Sequence, residues 1–266
     1  MRKSLYTFTL CAVLALVQFA GSAWAQSPDG DREEEPSDWQ LTLGAGVGFA
    51  PDYEGSDDYE AIFLPEAEIV WKDRVSLSPG GLNIDAYQGE RLTLGFGLGL
   101  TDSRDDSDNS ALRGLGDIDT SAEGSLYASY EFDFASINAL FAQDLGDGHE
   151  GAFVELSADV FLPVTDDLVL LVGPDLTWAS EDYMQSFFGI SSSQAASSAY
   201  STFDADAGFK DVGLHAMARY PLTESISLNG IVQYKRLLGD AADSPIVEDE
   251  GSADQVFGGM TISYRF

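Results

Sequence analysis

Few residues in this sequence are equipped for catalysis. His149 and His215 are its only histidines and Cys11 its only cysteine. A serine–histidine hydrolase would need one of the two, yet His149 stands in a loop beside Glu150 and His215 lies on the polar face of an alternating segment. There is no G-x-S-x-G elbow and no H-x-x-E-H-type zinc motif. A single cysteine excludes a disulfide framework and a multi-cysteine zinc site. Carboxylates are abundant: 45 Asp and Glu against 13 Lys and Arg, a net charge of −32. Paired carboxylates can cleave glycosides, but at this density pairs arise by chance. The acidic runs around Asp102, Asp105, Asp106 and Asp108, and around Asp240, Asp243, Glu248, Asp249 and Glu250, offer calcium-type ligands. They lack the glycine and closing glutamate of a calcium loop. No catalytic residue, cofactor or metal is therefore expected. The charge also excludes a general nucleic-acid binder, which needs a basic surface.

The elements that would position these acids have a period of two. Trp39, Leu41, Leu43, Ala45, Val47 and Phe49 alternate with Gln40, Thr42, Gly44, Gly46 and Gly48. The pattern returns over 92–100, 154–160, 212–220 and 226–235. Each is a strand with one apolar face and one small or polar face. At about 10–12 residues the strands exceed the globular mode of about 5–6 and match the length that crosses a membrane. Mean hydropathy is −0.07; near-neutral hydropathy argues against helical spans, not against a barrel. Met260, Ile262, Tyr264 and the terminal Phe266 share one face, like the insertion signal of outer-membrane barrels.

The start of the chain reads as an export signal. Met1-Arg2-Lys3 is basic, Leu5 to about Ala20 is apolar, and Ala23-Trp24-Ala25 fits an A-x-A cleavage site after Ala25. Cleavage removes the cysteine. Residues 26–38, QSPDGDREEEPSD, read as a flexible acidic leader.

Counting back from the terminus gives an all-β, transmembrane antiparallel barrel over 39–266 with twelve strands: 39–50, 59–71, 73–79, 81–88, 90–101, 116–132, 135–144, 151–162, 168–179, 210–221, 225–236 and 254–266. Short turns then fall on the periplasmic side and long acidic loops outside, as in bacterial barrels. The lumen face of 116–132 carries Asp117, Asp119, Glu123 and Glu131, joined by Glu66, Glu68, Glu155 and Asp159. Arg91, His215, Arg219, Lys235 and Arg265 are the bases available to meet them. Two outcomes stand open: acids and bases paired across a filled interior, or a narrow cation-preferring passage. Eight strands enclose a filled barrel and sixteen an aqueous channel; twelve lie between.

Several segments together resemble the MipA/OmpV family of outer-membrane proteins: APDYEGSDDYEAIFLPEAEIVWKDRVSLSPGGLN, LRGLGDIDTSAEG, DYMQSFFGIS, AGFKDVGL, RLLGDAADSPIVEDEGSADQ and the terminal YRF. They run in order from Ala50 to Phe266. The resemblance implies an outer-membrane location, and so contact with lipid; the acidic external loops are expected to face water or lipopolysaccharide, and the terminal aromatic face to be read by the barrel assembly machinery. The resemblance further implies a scaffold bringing a murein-cleaving lytic transglycosylase to a murein synthase; other members are described as porin-like or adhesin-like. It carries no established site. Within its motifs, Tyr53, Gly55 and Ser56 form an external turn. Tyr183, Phe187, Phe188 and Gly189 could fold into the mouth, with Asp240, Ser244 and Pro245 capping it. Simple turn chemistry and loop packing explain the same residues.

Overall fold

Residues 37–266 are described by the computed structural model; the expected export signal, and the expected leader as far as residue 36, lie outside them. Twelve strands follow in order: β1 (Trp39–Pro51), β2 (Tyr59–Trp71), β3 (Val75–Ser78), β4 (Gly81–Gln88), β5 (Leu92–Leu100), β6 (Ala122–Glu131), β7 (Ala135–Asp144), β8 (Ala152–Pro163), β9 (Val169–Ala179), β10 (Gly208–Pro221), β11 (Ile226–Leu237) and β12 (Asp254–Arg265). Each pairs antiparallel with its chain neighbours, and β12 closes on β1 to complete the barrel. Such closure pairs strand edges that a membrane would otherwise leave open, wherever adjacent strands are equally long.

The outer face is apolar. Leu43, Val47, Phe63, Phe96, Leu126, Ile137, Leu214 and Ile262 all point away from the lumen and are exposed. Aromatic pairs bound this band. Trp39–Trp71 (6.0 Å between rings), Tyr130–Phe132 (5.0 Å) and Tyr264–Phe266 (4.7 Å) lie at the end carrying the short turns. Phe49–Tyr59 (6.3 Å) lies toward the other end. Such girdles mark the two interfaces of a transmembrane barrel, short turns being periplasmic. Among the described residues no helix is long and apolar enough to cross a membrane.

Two local features shape the interior. On the upper part of β1 the inward positions 44, 46 and 48 are glycines because the neighbouring strand backbone lies too close for side chains: a Cβ on Gly46 would lie 1.9 Å from the Met260 carbonyl oxygen. The second feature is the low hairpin of β3 and β4. Lys72 and Asp73 both adopt positive φ (53° and 51°), and the Arg74 N–H closes the turn on the Trp71 carbonyl at 3.1 Å. This is the primed hairpin geometry that suits strand twist. It delays β3 to Val75, where residues 73–79 were expected. The chain turns back at Gly80-Gly81, where Gly81 has φ +125°. β2 therefore pairs with β3 only from Ile69↔Leu77 to Trp71↔Val75.

One expected strand is shortened. Residues 116–121 belong to the external loop, and β6 starts at Ala122. Leu112, Leu115 and Ile118 are buried in a cluster at the mouth, which draws the segment off the wall.

Candidate functional site

The lumen is organised as a charged layer beneath an apolar cap. The layer begins at an irregularity in β10. Register slips between Phe209 and Asp211, so Lys210 and Asp211 both point inward. A bulge re-aims side chains in this way. Lys210 Nζ is held by Glu54 and by Asp211 Oδ2 at 2.9 Å. Lys235 Nζ stands 3.4 Å from both Glu155 Oε2 and Asp211 Oδ1. The His215 ring bridges two carboxylates, with Nε2 2.6 Å from Asp159 and Nδ1 3.2 Å from Asp175. Gln233 donates to Asp175 (3.1 Å), Asn138 to Asp159 (2.7 Å) and Thr177 to Asp211 (3.0 Å). Buried charges persist when paired and hydrogen-bonded, and these are both.

The cap is built by the long loops. The loop after β9 forms α1 (Glu181–Phe188) and α2 (Ser192–Ser197); the loop after β11 forms α3 (Gly239–Asp243) and α4 (Pro245–Glu248). Ser180 caps α1, and Glu181 and Asp182 occupy its first turn, the favourable end for negative charge. Tyr183, Met184, Phe187 and Phe188 form its buried stripe. They pack with Tyr53, Leu112, Leu115, Ile190, Ile246 and Val247 in one cluster. At the C-terminal end of α1, Arg104 donates to the Phe187 carbonyl (2.7 Å) and Ser244 Oγ to the Phe188 carbonyl (2.6 Å). Two orphan carbonyls are thereby satisfied by two other loops. Tyr53 Oη donates to the Ile246 carbonyl at 3.1 Å, and burial pushes its phenol pKa up. Burial also lowers the Arg104 guanidinium to about 10 and depresses the His149 imidazole. His149 accepts the Gly151 N–H at Nδ1 (3.0 Å) and stacks edge-on against Tyr183 (4.9 Å), a packing role.

A cavity of about 470 Å³ lies in the lumen beside this layer. It runs from Asp73, Arg74 and Gln88 at the periplasmic end up to Tyr53, Tyr183 and Phe187 under the cap. Asp102 Oδ1 is buried there without a hydrogen-bond partner. Burial, reinforced by Glu54 and partly offset by Lys210, raises this carboxyl to about 7.

The candidates named from sequence separate into groups. Glu155, Asp159 and His215 lie in the charged layer. Glu68 and Glu123 line the cavity. Glu66 accepts from Thr261 (2.6 Å), and Arg219 donates to Ser227 (3.3 Å), nearer the periplasm. Arg91 is a correction: it precedes β5 in a periplasmic turn, half exposed, and pairs with Asp133 at 2.8 Å rather than with any lumen acid. Asp119, and Asp117 with it, are corrections too, being exposed on the external loop once β6 begins at Ala122. Tyr53 and Ser56 are buried, and Gly55, at φ +102°, leaves no space for a Cβ beside Val247. Tyr183, Phe187, Phe188 and Gly189 sit in the mouth with Asp240, Ser244 and Pro245 beside them; Asp240 accepts the Asp206 N–H at 2.8 Å. Ile262, Tyr264 and Phe266 line the outer face of the terminal strand.

Sequence reasoning missed Glu54, Arg104, Asp175, Lys210 and Asp211, and read Asp102 as an external-loop acid where the structure turns it into the cavity. The pair Lys210-Asp211 inside an otherwise alternating strand was a readable bulge signal. Arg104, the one base in the run 102–108, was another. Three carboxylates, Asp105, Asp106 and Asp117, bring oxygens within 4.8 Å of one another on the exposed rim. Backbone donors account for that grouping: Ser107 N–H to Asp105 and Asp106 N–H to Asp117, each 2.8 Å.

Similar architecture occurs in solved outer-membrane proteins at low identity. The NanC porin is 11% identical over 84% of this chain and 98% of its own, with a TM-score of 0.42. An outer-membrane channel from Pseudomonas putida is 15% identical over 91% and 100%, with a TM-score of 0.42. OmpT of Vibrio cholerae is 10% identical over 86% and 97%, with a TM-score of 0.39. A comparison with curated proteins found no match. The profile of the family described as MltA-interacting protein MipA matches residues 43–266. That span takes in nearly the whole barrel, its charged layer and its cap, and the chain belongs to the MipA family.

Proposed function

We propose that this outer-membrane barrel is a non-catalytic anchor that gathers murein-cleaving and murein-synthesising enzymes at the inner surface of the outer membrane. The observation that carries this reading is the cap. Fifteen buried apolar or aromatic residues pack across the external mouth, while the cavity beneath extends to the periplasmic turns. A barrel stoppered outside and accessible inside faces its chemistry toward the periplasm. The family's description supports a murein-enzyme partner. The periplasmic turns are short, so the contact with such a partner is assigned to the segment 26–38, the mature N-terminus on cleavage after Ala25. Phe266 serves as the assembly signal. The test is affinity capture from solubilised envelopes, probing for a lytic transglycosylase and a murein synthase. Recovery of both by the mature chain, and loss on deleting 26–38, is the expected result. Failure of the mature chain to recover either enzyme overturns the reading.

A second reading has one observation in its favour. Glu68, Glu123 and Asp102 line the cavity without an ion-pair partner among the described residues, as a cation-preferring passage requires. It also requires the cap to move. Steady cation-selective conductance of the unaltered protein in planar bilayers decides for it.

A further inference from the structure

The wall of the barrel has a window in it. Pairing between β2 and β3 stops at Ile69↔Leu77, yet β2 continues to Tyr59. Residues 60–68 keep their partners on β1 but have no backbone partner on the opposite side among the described residues. Nine residues of tilted strand correspond to on the order of 20 Å of height. The lower edge of the window is the Gly80-Gly81 turn, which packs on β5. Its far side is β5 and the loop above it, held upright by the Arg104↔Ile118 bridge. Its top is closed by Asn109, whose amide reaches Asp52 (2.9 Å) and Asp58 (3.2 Å).

This window lies within the lipid-facing band, since the girdle residues Trp71 and Tyr59 mark the two ends of β2. An open strand edge is tolerated at that depth only where it lines a wet cavity or meets polar groups. The cavity meets that condition. Its lining includes Glu68 and Val70 from the inner face of β2, and also Leu98 and Leu100, whose side chains lie on the outer face of β5.

The chemistry around the window is one-sided. Glu68 is the first residue above the last β2–β3 pair. Across from it, Glu123 stands opposite Gly99 in register, and Asp102 follows β5 with its buried Oδ1 unpartnered. None of the three has an ion-pair partner among the described residues, whereas Lys210 and Lys235 are committed to Glu54, Asp211 and Glu155. Outside the window the neighbouring side chains are Phe63, Ala67, Leu98 and Leu100.

We propose that this window is a lateral portal that admits a cationic amphiphile from the outer half of the bilayer. The aliphatic tail stays against Phe63, Leu98 and Leu100, and the ammonium head enters the cavity among Glu68, Glu123 and Asp102. The head's charge is met by three carboxylates, and its hydrogen-bond donors meet free carbonyl groups along β2. An anionic headgroup would meet like charge at Glu68, Glu123 and Asp102, while Lys210 and Lys235 in the same cavity are already paired with acids.

The test uses the mature protein in phosphatidylcholine vesicles with spin-labelled stearylamine as probe and spin-labelled stearate as the matched anion. The expected result is an immobilised amine component, displaced by unlabelled stearylamine, with stearate showing none beyond the ordinary lipid shell. Glu68→Gln with Asp102→Asn and Glu123→Gln should weaken amine binding by roughly tenfold or more, the scale of losing charged contacts. Ala67→Trp, which narrows the window from the lipid side without touching the acids, should reduce it as well. Heat-modifiable migration confirms assembly of each variant, and Glu68→Gln alone is read if the triple variant does not assemble. Equal immobilisation of amine and stearate overturns the proposal. So does an amine preference that survives both the acid and the Ala67 substitutions. Competition by an extended peptide but not by stearylamine overturns it in favour of strand addition at the β2 edge.

Discussion

From β7 to β11 the wall is made of strands of 10 to 14 residues, paired along nearly their whole length. From β2 to β5 it contains a strand of four residues and another of eight. The inner surfaces differ in the same sense. On the long side, Glu155, Asp159, Asp175, Asp211, His215 and Lys235 contact one another and fill the lumen. On the short side, Glu68 looks into the cavity, and Glu123 does so from the neighbouring β6. The contrast teaches that strand height decides what inward charges do. Where facing walls are equally tall, acids find bases across the lumen. Where a hairpin stops early, no wall opposes them and they remain available.

The largest expected effect tests the filled side. Lys210→Met leaves Glu54 and Asp211 buried with one cation fewer. Breaking a buried pair by removing one partner costs about 3–5 kcal/mol. The assembled, heat-modifiable form should be depleted, or its melting temperature lowered by several degrees. A variant that melts like the parent would show that the charged layer is not structural, and the contrast between the two sides would fail.

The next effect separates cap from barrel. Phe188 is fully buried, and truncating such a residue to alanine costs about 3–5 kcal/mol. The loss falls on loops, not on the strand ladder. Phe188→Ala should therefore make 180–207 accessible to protease while the barrel keeps its melting temperature. A simultaneous fall in barrel melting would mean that cap and wall unfold as one unit.

Asp102 gives a pH test at the boundary between the two regions. Its folded-state carboxyl titrates at about 7, above its ordinary value of 3.8, with burial as the leading cause. The fold thus prefers the protonated form. Stability from this group is complete below about pH 4 and is lost as pH rises through 7. Asp102→Asn removes the dependence, so its gain in melting temperature over the parent should be larger at pH 8 than at pH 4. An equal difference at both values would remove Asp102 from the list of strained groups.

How much of this was legible in the sequence follows from range. Strand alternation is local, and so are turn residues such as Pro221 to Glu224. They placed all twelve strands with ends shifted by a few residues, except where the cap draws 116–121 away from β6. The partners of lumen acids are set by which strands face each other across the barrel, and no local pattern carries that. Glu155 pairs with Lys235, 80 residues away, and Glu54 with Lys210, 156 away. Arg91 shows the converse error: alternation counted it into the lumen, but one residue of turn before β5 moves it to the periplasmic rim.

The smallest effect concerns that arginine. Arg91 and Asp133 form a close pair at 2.8 Å, but their side chains are 51% and 83% exposed. An exposed pair is screened by water and salt and contributes about 0–1 kcal/mol. Arg91→Ala should leave melting temperature, heat-modifiable migration and amine binding within error of the parent, at low and high salt alike. The comparison with Lys210 is direct. Both are cations beside carboxylates at hydrogen-bond distance, one in water at the rim and one sealed beneath the cap. If Arg91→Ala were as damaging as Lys210→Met, proximity alone would govern these pairs, and burial between tall walls would lose its place as the organising feature of the barrel.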